Sequence, residues 1–175
     1  LCEPERGWAG GFGVVSVSPD SKSLYVGAID SVAVFARNTT SGALTQTGGP
    51  ADCLATEGYY GGCGVARGLH GITSIAVSPD NKSVYVGSSS VYAYTGDAGY
   101  IAIFSRSLAA GSVGQLSQAY GPTGCYHSLT APTDGCAEAI GIDAPDGIAI
   151  SPADTRLYVS SADPGTVTTF IRKTT

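Results

Sequence analysis

At 175 residues the chain has room for one domain or a short run of repeats, not for two full domains. Charged residues make up 13% against 43% apolar, with 25 glycines, which excludes a disordered charged tail. The net charge of −5 gives no basic footprint for nucleic acid, and no apolar run approaches the ~20 residues that span a bilayer.

The chain opens on Leu1 and contains no Met, so it reads as a processed or excised piece. Its first unit is predicted as a four-stranded meander with strands over 14–18, 24–28, 32–36 and 43–46. Ser18-Pro19-Asp20 and the polar pair after it form the first turn, because Pro fixes φ and Asp bonds backbone two residues on. Asp30 marks the second turn. The flanking residues are rich in Val, Tyr and Phe, which suits half-buried antiparallel strands.

The same unit then recurs. SPDNKSVYVG at 78–87 matches SPDSKSLYVG at 18–27, IAIFSR at 101–106 matches VAVFAR at 32–37, and GQLSQ at 114–118 matches GALTQ at 42–46. A third copy carries SPADTRLYVS at 151–160 and VTTFIR at 167–172. Asp97 and Asp163 hold the hairpin position of Asp30, and the middle unit has a longer connection at 88–99 with Tyr92 and Tyr94. No stretch has helical periodicity.

Tandem four-stranded sheets predict an all-β, β-propeller-like array over 1–175, with antiparallel blades at about 12–48, 71–119 and 144–175. The third is incomplete, because the sequence stops at Thr175 before a fourth strand. A parallel β-helix or a two-sheet sandwich is the alternative. Ile75, Val77, Ile148 and Ile150 are expected between blades with Tyr85 and Phe104, and Tyr25, Tyr85 and Tyr158 recur at one core position. Three blades close no ring. Neighbouring polypeptide or further copies of the chain are therefore the expected partners.

The cysteines sit in the connections between units. Cys53 and Cys63 follow Gln46 by 7 and 17 residues, and Cys125 and Cys136 follow Gln118 by 7 and 18. These equivalent spacings predict two local disulfides, Cys53–Cys63 and Cys125–Cys136, each stapling the connection from a fourth strand to the next first strand. Metal ligation is the alternative, though C-x2-C spacing is absent and neither His lies at ligand spacing. Cys2 precedes Ser18 by 16 residues, close to the 15 that separate Cys63 from Ser78, so its partner is expected outside the sequence. Disulfides imply an oxidising compartment, secreted, extracellular or at the cell surface. The sequons at Asn38 and Asn81 lie in predicted turns where a glycan stays in solvent.

The phrases HGITSIAVSPDNKSVYVGSSS and APDGIAISPADTRLYVSSAD resemble the YVTN or lactonase-type β-propeller repeat of proteins similar to 6-phosphogluconolactonase. Cysteine-bearing versions resemble repeats of large extracellular proteins, including mastigoneme-type appendage components. The resemblance implies a propeller with His, Arg and acidic groups around a central channel. The matching position, eight residues before the Ser of Ser-Pro, holds Gly10, His70 and Asp143, with Arg67 three residues before His70. His70-Gly71 matches the family's His-Gly strand entry, but a full His/Arg/acid set does not carry over.

No nucleophile elbow, zinc-protease or phosphate-loop motif occurs, and no cofactor is implied. His127, inside the second cysteine loop, reads as an exposed loop residue. Asp143 and Asp146 read as turn residues rather than a Ca²⁺ site. Tyr59, Tyr60, Tyr92, Tyr94, Tyr100, Tyr120 and Tyr126 are placed in loops, either as a binding face for glycan or protein or packed over the disulfides. The function expected is an extracellular structural or interaction module without catalysis. A secreted lactonase-like hydrolase or isomerase using His70, Arg67 and Asp143, or a glycan-binding lectin, is the alternative.

Overall fold

The computed structural model describes residues 13–46, 48–56, 62–89, 98–129 and 135–173. They form an all-β chain of three sheets that do not close on one another. Among them the only helical pieces are single 3-10 turns at Pro50–Asp52 and Gly121–Thr123.

Sheet 1 starts as the expected meander: β1 (Val14–Val17), β2 (Ser23–Gly27) and β3 (Ser31–Arg37) pair antiparallel in chain order. Sheet 2 repeats it with β7 (Ile72–Val77), β8 (Ser83–Ser89) and β9 (Gly99–Arg106), and sheet 3 with β13 (Pro145–Ile150), β14 (Arg156–Ser161) and β15 (Thr166–Ile171). The Ser-Pro turn explains the first hairpin. Ser18 Oγ donates to Asp20 Oδ1 at 2.5 Å and accepts the Ser23 amide at 3.0 Å, while Lys22 N donates to Asp20 Oδ1 at 3.1 Å. The fourth turn residue is left-handed in every unit, with φ of 60° at Ser21, 63° at Asn81 and 59° at Asp154. Polar residues with short side chains tolerate that region best.

The connection after β3 is more than a stapled loop. β4 (Leu44–Thr45) pairs with one end of β3, and β5 (Cys53–Ala55) takes the other end of the same edge. β6 (Gly64–Val65) then adds to β5 in parallel. Sheet 2 does the same with β10 (Leu116–Gln118), β11 (Cys125–His127) and β12 (Ala137–Glu138). Each disulfide extends this parallel ladder by one rung. Leu54 faces Gly64 and Tyr126 faces Ala137, so the bonded pairs Cys53–Cys63 and Cys125–Cys136 stand one register step before them. Parallel neighbours normally need a crossover of a dozen or more residues. Here a somewhat shorter link suffices, with a covalent bond holding its ends.

The sheets stack in chain order. Tyr25, Val32 and Val34 of sheet 1 share a core with Val84, Val86, Ala102 and Phe104 of sheet 2, with Ile75 and Val77 half-buried against it. Tyr85 and Ile101 of sheet 2 share a second core with Leu157 and Val159 of sheet 3, joined by half-buried Ile148 and Ile150. Gly27 and Gly87 mark close approaches between sheets: a Cβ on Gly27 would lie 2.6 Å from Ile72 Cγ2, and one on Gly87 would lie 3.2 Å from Ile148 Cδ1.

One residue seals each stack. Arg106, at the end of β9, donates through Nε to the Tyr25 hydroxyl at 2.8 Å, and through Nη2 to both Asp20 carboxylate oxygens at 3.0 Å and to Ser23 Oγ at 2.9 Å. Arg172, after β15, repeats this on Tyr85, Asp80 and Ser83. Both guanidiniums are also held by their own unit's turn, through Asn81 O and Asp154 O. Arg106 and Arg172 are thus clamps, each reaching back one unit.

Several expected environments need correction. Tyr158 is not core: it is 39% exposed, because among the described residues no sheet covers it as sheets 2 and 3 cover Tyr25 and Tyr85. His127 is buried rather than a loop residue, since it pairs with Tyr100 across β11 and β9. Tyr100 and Tyr126 lie in those strands too, with Tyr126 packed on Phe170 at 4.8 Å between ring centres. Tyr120 is fully exposed, as expected of a loop residue. Tyr59, Tyr60, Tyr92, Tyr94 and Cys2 lie outside the described residues.

Candidate functional site

His70 stands where the chain enters β7, between Gly68 and Gly71, whose φ values of +73° and +67° suit glycine. The entry is fixed from two sides: Gly71 N donates to Ile29 O at 2.6 Å, and Ser89 N donates to Gly71 O at 2.9 Å. A Cβ on Gly71 would lie 2.3 Å from Ser89 O, so this approach requires glycine. Leu69 is fully buried and its carbonyl accepts the Thr56 hydroxyl at 2.7 Å. His70 is thereby held over the β2–β3 hairpin of the preceding sheet.

Its neighbour there is Asp30. Nδ1 of His70 lies 3.9 Å from Asp30 Oδ1, and the His70 ring tilts over Tyr100 with centres 5.4 Å apart. Burial pushes the Asp30 carboxyl above its ordinary range, outweighing the opposite pull of His70 and the Gly71 amide. The His70 side chain is 37% exposed and that of Asp30 10%. A shielded carboxyl thus stands beside a partly open imidazole, at a spacing longer than the ~2.6–3.2 Å of a proton-transferring hydrogen bond. In the sequence Asp30 reads only as a turn residue. Its pairing with His70 spans two units and leaves no local signal.

Arg67 has a different set of neighbours. Its guanidinium donates to the carbonyls of Gly135 at 3.1 Å, Ala119 at 2.8 Å and Gly121 at 3.1 Å. Its backbone is bracketed by Gln118, which accepts from Arg67 N at 2.9 Å and donates to Arg67 O at 3.0 Å. Arg67 and Gln118 line a surface cleft of about 560 Å³ with Val65, Ala66, Ala119 and Tyr120. These bonds tie the first cysteine-bearing connection to the second. Gln118 Nε2 also donates to Gly124 O, as Gln46 Nε2 does to Asp52 O, so the repeated Gln braces the approach to each disulfide. The recurrence of that Gln was visible in the sequence; its bond was not.

Asp143 lies half-buried just before β13, and Gly10 lies outside the described residues. Asp146 accepts the Ser160 hydroxyl within sheet 3. No three His, Cys, Asp or Glu side chains among the described residues are grouped to hold a metal. Asn38 accepts the Thr40 and Ser41 amides at 2.9 Å in an exposed turn. Asn81 Oδ1 accepts the Asp20 amide at 2.9 Å across the first stack.

No protein-family model matches the chain, and no curated protein matches it in sequence. Solved structures do resemble it. A functionally unknown protein from Desulfotomaculum acetoxidans DSM 771 superposes with a TM-score of 0.52 at 17% identity, over 90% of this chain and 38% of that one. A candidate 6-phosphogluconolactonase from Bacteroides uniformis ATCC 8492 gives 0.38 at 16% identity, over 91% and 50%. Kuenenia stuttgartiensis hydrazine synthase gives 0.36 at 15%, over 90% and 51%. The chain thus spans between 38% and 51% of the length of these structures. At such identities the likeness is one of fold alone.

Proposed function

We propose that the chain is a structural or interaction module of a secreted or cell-surface protein, a single array of propeller-type blades that neighbouring polypeptide completes. The observation that carries this reading is the deployment of its strong polar side chains. Arg106 and Arg172 clamp successive sheets, and Arg67 and Gln118 bind backbone between connections. Of the residues at positions matching the lactonase-type channel, Arg67 is engaged in holding the two cysteine-bearing connections together. Two cystines inside the sheets support an oxidising compartment. Asn38, on an exposed turn, is the sequon better placed for a glycan, because Asn81 is engaged between sheets.

The second reading, a lactonase-like hydrolase, rests on His70 and its buried partner Asp30. A panel of sugar and aromatic lactones separates the two. The module reading expects no turnover above buffer; turnover that His70→Ala and Asp30→Asn both abolish would overturn it.

A further inference from the structure

Arg67 stands between the two cystines. It follows Cys63 by four residues, and the three carbonyls it holds flank the other bond. Ala119 and Gly121, at 2.8 and 3.1 Å, precede Cys125, while Gly135, at 3.1 Å, is the residue before Cys136. The fit is close on both sides: a Cβ on Gly124 would lie 2.9 Å from Arg67 Nη2, and one on Gly135 would lie 3.0 Å from Nη1. One guanidinium thus bonds both arms of the loop that Cys125–Cys136 closes. It is a hydrogen-bonded cross-link set beside a covalent one.

The place of that guanidinium depends in turn on the first cystine. Cys53 in β5 is bonded to Cys63, and the next two residues form β6, paired as Leu54↔Gly64 and Ala55↔Val65. Ala66 N then donates to Ala55 O at 2.8 Å, and Arg67 follows. A two-residue parallel rung has little hold of its own, so the covalent bond at its start sets where Arg67 leaves the sheet. Gln118 fixes the far side, because its Nε2 donates both to Arg67 O and to the carbonyl of Gly124, the residue before Cys125. The spelling Cys-x3-Arg-Gly also occurs at Cys2, Arg6 and Gly7, so the arginine belongs to the repeat.

We propose that Arg67 couples the two cystines into one redox unit, in which opening either bond eases the opening of the other. A dithiol supplies the two electrons and two protons and leaves as its cyclic disulfide, and the chain keeps two thiols for each bond opened. With Cys53–Cys63 open, β6 comes off β5 and the guanidinium no longer spans the second loop, so the Cys125 and Cys136 thiols re-close less readily. With Cys125–Cys136 open, the two arms separate and Arg67 loses its carbonyls, which removes support from β6. Coupling of this kind is reciprocal: the factor is the same in both directions. It links the first connection forward to the second, opposite in sense to the Arg106 and Arg172 clamps. It is also independent of whether the chain is a module or a hydrolase.

The test measures each bond with the other present and absent. The oxidised chain is equilibrated with graded dithiothreitol at neutral pH, thiols are trapped with N-ethylmaleimide, and peptide masses give the half-reduction concentration of each cystine. Cys53→Ser/Cys63→Ser should lower that concentration for Cys125–Cys136 by about fivefold or more. Cys125→Ser/Cys136→Ser should lower it for Cys53–Cys63 by the same factor. In an Arg67→Ala background both factors should shrink to about one. In a Leu157→Ala background, which opens a cavity between sheets 2 and 3, both should persist. Absence of coupling in the wild-type chain would overturn the proposal. So would coupling that survives Arg67→Ala, or that Leu157→Ala removes equally, since it would then pass through the fold as a whole. If Arg67→Ala does not fold, Arg67→Lys, which keeps the charge but cannot fork between two arms, is scored by the same criteria.

Discussion

Asp80 and Arg172 are separated by 92 residues of sequence and by 2.9 Å in the fold. The pair lies at the seam of sheets 2 and 3, with the arginine side chain 3% exposed and the aspartate 24%. Burial raises the Asp80 carboxyl, but the Ser78 hydroxyl, the Lys82 amide and Arg172 together outweigh it and hold the pKa at about 2.

That depression ties stability to pH. A carboxylate with a folded-state pKa below its unfolded value stabilises the fold above the unfolded pKa and loses the contribution as pH falls through the folded one. Between about pH 4 and pH 2 the stack of sheets 2 and 3 should lose about 1–2 kcal/mol, allowing for solvent screening of the partly open carboxylate. Asp20 is lowered in the same direction, against its own burial, by Ser18, Lys22 and Arg106. Urea unfolding of wild type and Asp80→Asn at pH 7, 4 and 2 measures this. The variant should be weaker at pH 7 and fall less steeply on acidification; parallel curves would refute the assignment.

Arg106 should be harder to replace than its charge suggests. Its side chain is fully buried, so Arg106→Ala opens a cavity and takes the ion pair from Asp20 and a donor from the Tyr25 hydroxyl, which keep only Ser18, Lys22 and Gly114, at a cost of about 2–3 kcal/mol. Arg106→Lys keeps the charge but loses the planar fork that serves a carboxylate, two hydroxyls and a carbonyl together. Chemical unfolding should therefore show little rescue by lysine.

Gly99 and Gly49 make a matched pair for backbone approach. A Cβ on Gly99 would lie 1.5 Å from Ile142 O and 2.7 Å from Pro145 Cδ, whereas one on Gly49 meets nothing within 4 Å. Gly99→Ala should force sheets 2 and 3 apart at a cost of roughly 3 kcal/mol or more, and Gly49→Ala should stay within about 0.5 kcal/mol of wild type. Thermal melts at neutral pH distinguish them.

Phe104 is fully buried in the core shared by sheets 1 and 2. Phe104→Ala should cost about 3–5 kcal/mol by denaturant unfolding, a cavity value; a cost under about 1 kcal/mol would mean that the two sheets do not stack as described.

Removing either cystine should cost roughly 2–3 kcal/mol in the chain-entropy picture, since each closes a short loop. The Cys53→Ala/Cys63→Ala and Cys125→Ala/Cys136→Ala chains should lose similar amounts, and because Arg67 joins the two connections the losses should depart from simple addition. Intact mass before and after reduction counts the bonds directly.

The hairpins were legible almost to the residue, because turn chemistry and alternation are local: strands over 14–18 and 24–28 became Val14–Val17 and Ser23–Gly27. β5, β6, β11 and β12 were not, since strands of two or three residues carry no period and owe their place to a cystine. Tyr158 shows a different limit. It shares its repeat position with Tyr25 and Tyr85, but burial there is conferred by the next sheet, and identity within the repeat says nothing of whether one follows. The recurring Arg was equally plain as a letter. Only the fold revealed that it reaches across 81 residues to a hydroxyl.

The parallel rungs beside the cystines have a bearing on solubility. An uncovered sheet edge is a template on which another chain can add a strand, and very short edge strands are one defence against it. β6 and β12 are two residues each, and they close the edges of β5 and β11 that would otherwise face solvent. Each cystine therefore acts as a lock on a shutter: opened by a reductant, the shutter swings off and the edge behind it becomes a site for strand addition. Exposure to thiols would then turn a dispersed chain into a self-templating one, well before its cores come apart.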